Sequence, residues 1–149
     1  MTIKHKIHAH YQQLLQDRID VFRDMIAALS EDSKNDAKGS AGDKHETALS
    51  MMHIEQEKLN RKLSEIYQQK EVVDKINPES LSEYISLGSL VTANGMLLYI
   101  SAALPKATID NQTIIAVSPQ SPLGAKLMGN RAGFTFEING TAYIVSEVQ

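Results

Sequence analysis

Apolar residues at alternating steps of four and three run along two stretches of this chain, and no other feature limits its fold as strongly. Upstream they are Leu15, Ile19, Phe22, Ile26 and Leu29; downstream Leu49, Met52, Leu59, Leu63 and Ile66 keep the same register. Apolar residues recurring every ~3.5 positions stay on one side of a helix and form the seam of a coiled coil. Between the stripes, Lys38-Gly39-Ser40-Ala41-Gly42 offers glycines that take positive φ and end a helix without a Cβ clash. The expected arrangement is an N-terminal antiparallel coiled-coil hairpin. Its tip, Gly42-Asp43-Lys44-His45-Glu46-Thr47, sets the carboxylates of Asp43 and Glu46 where the chain reverses.

The first helix is expected from about Lys4 to Ala37, with Ile3 and Ile7 extending its stripe, and the second from about Asp43 to Asp74. Gln56 and Lys70 interrupt the downstream seam; polar residues there lower stability but fix register. A helix of that span is roughly 50 Å long, more than a compact domain of this size is wide, so the hairpin is expected to project. Asn77-Pro78 ends it, because proline lacks a backbone donor and disfavours helix in the residue before it. The expected domains are residues 1–76, the hairpin, and 77–149, a separate C-terminal domain.

In that second half, Gly88 to Thr92, Asn94-Gly95 and Met96 to Ile100 predict a hairpin, since Asn-Gly supplies the positive φ of a type I′ turn. Thr113 to Ser118 predicts another strand, and Phe134 to Ile138, Asn139-Gly140 and Thr141 to Val148 a second Asn-Gly hairpin. Ser121-Pro122-Leu123 supplies an N-cap and a first-turn proline for a short helix reaching about Met128. The fold class is α+β, with a small, mostly antiparallel sheet and one short helix against it.

Composition narrows function. A net charge of −3 argues against broad phosphate binding, which needs a basic face. A local strip of Lys34, Lys38, Lys44, Lys58, Arg61 and Lys62 is the competing reading, but acidic residues are interspersed along it. The absence of cysteine excludes a disulfide framework and a thiolate metal site. No apolar run nears ~18 residues and no basic-then-apolar leader opens the chain, so the expected location is cytoplasmic with no membrane partner. His5, His8 and His10 crowd the start and read as solvated surface histidines rather than metal ligands.

Two segments carry a resemblance to the Gre transcript-cleavage factor family. Gly42-Asp43-Lys44-His45-Glu46-Thr47-Ala48 resembles the family's tip pattern Gly-Asp-x-x-Glu-Asn-Ala, and the segment from Ser118 to Gly129, containing Ser121-Pro122-Leu123-Gly124, resembles its Ser-Pro-Leu-(Gly/Ala)-x-x-Leu-(hydrophobic)-Gly stretch. The resemblance spans nearly the whole chain and implies an N-terminal coiled coil followed by an FKBP-like domain. It further implies that the hairpin enters the secondary channel of bacterial RNA polymerase. There Asp43 and Glu46 would help hold Mg²⁺ and a water at the 3′ end of backtracked nascent RNA. The chain would then be no enzyme itself but a factor that stimulates the polymerase's own hydrolysis. Mg²⁺ would be held only jointly with the polymerase, because that ion wants near-octahedral oxygen donors and keeps its waters on a lone carboxylate pair. A hairpin that closes its own seam is expected to be a monomer, although Tyr11, Val21 and Met25 lie off the seam.

Thr47 stands where the family has asparagine, and Leu49-Ser50 where it has an acidic-aromatic pair. These departures keep open a channel-binding regulator that modulates or inhibits polymerase without cleavage. A purely structural account also exists: Asp43 is a good N-cap and Glu46 falls where a capping-box glutamate sits, an arrangement that stabilises a helix by about 1 kcal/mol. His45 beside them reads as a solvated histidine. The remaining alternatives are an FKBP-like prolyl isomerase or chaperone, using Tyr84, Tyr99, Phe134, Phe136 and Tyr143, and a coiled-coil adaptor.

Overall fold

The computed structural model describes residues 2–39 and 43–149, with side chains described except at 35–39 and 43–45. In chain order the elements are α1 (Ile3–Gly39), α2 (Asp43–Asp74), β1 (Leu90–Ala93), β2 (Met96–Ile100), β3 (Ala107–Ile109), β4 (Gln112–Val117), α3 (Pro122–Leu127), β5 (Thr135–Ile138) and β6 (Thr141–Val148). The fold is α+β. Its residues form two compact units: Leu14–Lys70, and Met1–Gln13 together with Glu71–Gln149.

In the helical unit, burial follows the apolar stripes. Leu15 and Ile19 of α1 and Leu59 and Ile66 of α2 are buried, while Phe22, Ile26, Leu29, Leu49, Met52 and Leu63 are half-buried. Gln56, at a seam position, is half-buried as well. Helix faces helix at Ser33, whose hydroxyl lies 3.3 Å from the Met52 sulfur. The outward positions are solvated and weakly paired, as in the 3.5 Å contact between Lys62 and Glu65. Val21 and Met25 are exposed.

The other unit holds a six-stranded sheet in the order β3-β4-β2-β1-β6-β5. The expected turns are present, with positive φ at Asn94-Gly95 and Asn139-Gly140. A further hairpin joins β3 to β4 through Asp110 and Asn111, at φ 51° and 61°, side chains that tolerate the left-handed region. The sheet is mostly antiparallel, as expected, through the pairs β1–β2, β1–β6, β3–β4 and β5–β6, but it is mixed, because β2 runs parallel to β4, with Leu97 opposite Ile114 and Ile100 opposite Val117. The physical reason is the excursion through Ser101–Lys106 and β3, which returns β4 alongside β2 in the same direction; no local sequence signal encodes that pairing.

Strand alternation gives the sheet two apolar faces. On one, Val91, Ala93, Leu98, Ile100, Val117 and Val145 form a buried cluster with Leu127 of α3 and Ile85. On the other, Tyr99 is fully buried and stacks on Tyr11 of α1, with ring centroids 6.1 Å apart and planes at 7°. The Tyr11 hydroxyl donates to the Pro105 carbonyl at 2.7 Å. Residues 3–13 and the end of α2, assigned to the hairpin from sequence, thus pack within the compact unit that contains the sheet, where Ile7, Tyr11, Val73 and Ile76 are buried.

The start of α3 is fixed locally. Ser121 accepts from the Gly124 amide at 3.0 Å and donates its hydroxyl to the Ser118 carbonyl at 2.7 Å. That double bond folds the Ser118 carbonyl against the Gly124 Cα, so that a Cβ at Gly124 would overlap the carbonyl oxygen. The glycine of the Ser-Pro-Leu-Gly stretch is therefore a steric requirement of the cap.

Candidate functional site

Asp43 is the first residue of α2, and its side chain lies outside the described residues, as do those of Lys44 and His45. Glu46 stands in the first turn of α2 and is exposed. Positions three apart share a helix face, so 43 and 46 are placed as neighbours by the backbone. Hard carboxylate oxygens are the donors Mg²⁺ prefers, yet a pair falls short of its octahedral shell. Among the described residues no group of three or more His, Cys, Asp or Glu is arranged to hold a metal ion. Thr47 and Ser50 are exposed, while Leu49 is a half-buried seam residue.

The competing basic strip is only partly described: Lys34, Lys58, Arg61 and Lys62 are exposed, and Lys38 and Lys44 lie outside the described side chains. Lys62 faces Glu65, so its charge is locally offset.

The aromatics of the sheet unit do not converge on one pocket. Phe134, Phe136 and Tyr143 stack on one another, at 5.4 and 5.1 Å between centroids, and Tyr99 is buried under Tyr11. Tyr84 and Phe134 line a hollow of about 430 Å³ with Arg131 and a glycine-rich turn. A larger groove of about 790 Å³ on the sheet is bordered by Ile3, Thr92, Leu97, Thr113 and Glu147 and contains no aromatic residue.

The sequence reading missed a polar cluster where α1 begins. His8, expected on the surface, is 8% exposed, with its Nδ1 3.5 Å from the Tyr99 hydroxyl. The reason is the helical face that Lys4, Ile7, His8 and Tyr11 share, a period visible in the sequence once Ile7 and Tyr11 are read together. Burial lowers the His8 pKa, an effect opposed by Asp74 and reinforced by His5. Lys4 is buried too, donating to the Ser80 and Gln149 carbonyls at 2.7 and 3.2 Å, and burial lowers its pKa. Burial raises the phenol pKa of both Tyr11 and Tyr99, and at Tyr99 the neighbouring Tyr11 adds to the rise.

The fold defines a class: an α+β chain of two long N-terminal helices and a mixed six-stranded sheet. No helix among the described residues is long and apolar enough to cross a membrane. No protein-family model matches the chain, and no curated protein matches it. Among solved structures it is similar to one described as "Structure of the transcription factor Gfh1", at 16% identity over 92% of each chain and a TM-score of 0.35.

Proposed function

We propose that this chain is a Gre-like transcription elongation factor that binds bacterial RNA polymerase, inserts its helical hairpin into the secondary channel and stimulates cleavage of backtracked RNA. In this reading α1 and α2 form an antiparallel coiled coil, residues 77–149 are an FKBP-like docking domain, and the protein acts as a cytoplasmic monomer. The observation that carries it is the acidic motif. Asp43 opens α2 and Glu46 stands exposed one turn later, at the junction of helices 37 and 32 residues long.

The chain's own contribution is charge and position. Asp43 and Glu46 bring two carboxylates at positions three apart in α2, and the polymerase supplies the remaining oxygen donors. Mg²⁺ held in that shared site would lower the pKa of a water and stabilise charge on the RNA phosphate. Glu46 serves as oxygen donor or water acceptor. The chain is thus no enzyme alone but part of a composite hydrolytic site. Thr47 and Leu49-Ser50, which depart from the family pattern, keep open a second reading in which the hairpin occupies the channel and modulates or inhibits polymerase without cleavage. Phe134, Phe136 and Tyr143 stack on one another and Tyr99 is buried, which speaks against a prolyl-isomerase pocket.

Halted, backtracked elongation complexes separate these readings. Adding the protein is expected to shorten the transcript from its 3′ end and restore extension. Binding that leaves the transcript intact and slows extension would select the second reading; no binding would refute both.

A further inference from the structure

We propose that the start of α1 is latched to the sheet by a neutral His8, and that mild acidification opens this latch. The inference is independent of any action on RNA polymerase.

The geometry centres on one contact between β2 and the start of α1. Tyr99 is fully buried, and its hydroxyl faces His8 Nδ1 at 3.5 Å. A buried phenol needs an acceptor for its proton, so Nδ1 accepts and the imidazole proton sits on Nε2. Protonating His8 turns Nδ1 into a donor. The Tyr99 oxygen can still accept, but its own proton then loses its partner and a charge appears on a side chain largely withdrawn from water. Contacts of the same helix face are carried along: the Tyr11 ring on Tyr99, the Tyr11 hydroxyl on the Pro105 carbonyl, and Lys4 on two backbone carbonyls.

Charged and titratable groups surround His8 from each packed element. From α2, Asp74 favours the protonated imidazole, and it accepts a 3.4 Å bond from Gln12. From α1, His5 disfavours it, and His5 itself lies 3.6 Å from Glu79. Lys4 precedes His8 by one turn and is a second buried cation; Tyr11 follows it and Tyr99 faces it from β2. Desolvation outweighs Asp74, so His8 titrates below its ordinary value. Its stabilising contribution is therefore complete above the unfolded pKa of about 6.5 and lost as pH falls through the lower folded value.

Amide hydrogen exchange on the full chain tests this between about pH 7.5 and about pH 5.5, corrected for intrinsic exchange chemistry. Amides of residues 3–13 are expected to lose protection several-fold on acidification, while those of Leu98 and Ile100 hold. His8→Asn keeps an acceptor near the Nδ1 position and does not titrate, so it should abolish the pH response; His5→Asn should preserve it. Should the Asn variant fold poorly, NMR titration of the wild-type imidazole decides: a His8 midpoint below about 6.5 supports the latch. Flat protection in wild type, an unchanged response in His8→Asn, or a His8 midpoint at or above that value would overturn it.

Discussion

At Gly124 one hydrogen atom decides whether α3 can start. Ser121 binds both the Ser118 carbonyl and the Gly124 amide, and the resulting loop leaves no room for a Cβ. Gly124→Ala is expected to lower unfolding free energy by about 2 kcal/mol or more, the cost of overpacking against backbone, as read by urea denaturation. A change under about 0.5 kcal/mol would mean that the loop relaxes freely. The Ser-Pro cap itself was legible in sequence, because serine before a first-turn proline has a single economical reading. Burial of His8 was not, because a histidine near a terminus carries no signal of its own. Only the face it shares with Ile7 and Tyr11 reveals it.

Among elements, those with a local code were legible. The stripes of four and three reappear as the withdrawn faces of α1 and α2, and both Asn-Gly turns close hairpins. The short strand β3 escaped because only three residues pair and its turn is Asp110-Asn111 rather than Asn-Gly. The parallel contact between β2 and β4 escaped because distant pairing leaves no periodic trace. Gln56 tests the seam. Replaced by leucine at a half-buried position, it should stabilise the chain by about 1 kcal/mol, the gain from burying a few methylenes. Thermal denaturation followed by circular dichroism at constant protein concentration would read this as a higher Tm. A lower Tm would place the Gln56 side chain in a polar contact that the stripe does not describe.

For the molecule as a whole, charge is concentrated before Asn77-Pro78, and the compact units divide near Gln13 and Lys70, inside the helices rather than between helix and strand. That division was illegible because helix periodicity is the same on either side of it. The Tyr11 ring stacks on Tyr99 of a strand distant in sequence. The acidic motif stands in the sequence, and two readings of Asp43, one in which it only supports the start of α2 and one in which it donates to a metal, differ in what its charge does. Asp43→Asn separates them: asparagine caps a helix about as well, so helicity and polymerase binding should persist. Loss of the carboxylate should reduce RNA cleavage in backtracked complexes at least ~10-fold, about 1.4 kcal/mol of transition-state stabilisation. Glu46→Gln should behave alike, and the double variant should lose less than the product of the single losses, because both carboxylates act on one ion. The decisive measurement is cleavage by wild type and Asp43→Asn, side by side across Mg²⁺ concentrations. A deficit in the variant that narrows as Mg²⁺ rises is the expected result, and vigorous, equal cleavage by both proteins would contradict it and leave Asp43 with no part in the chemistry.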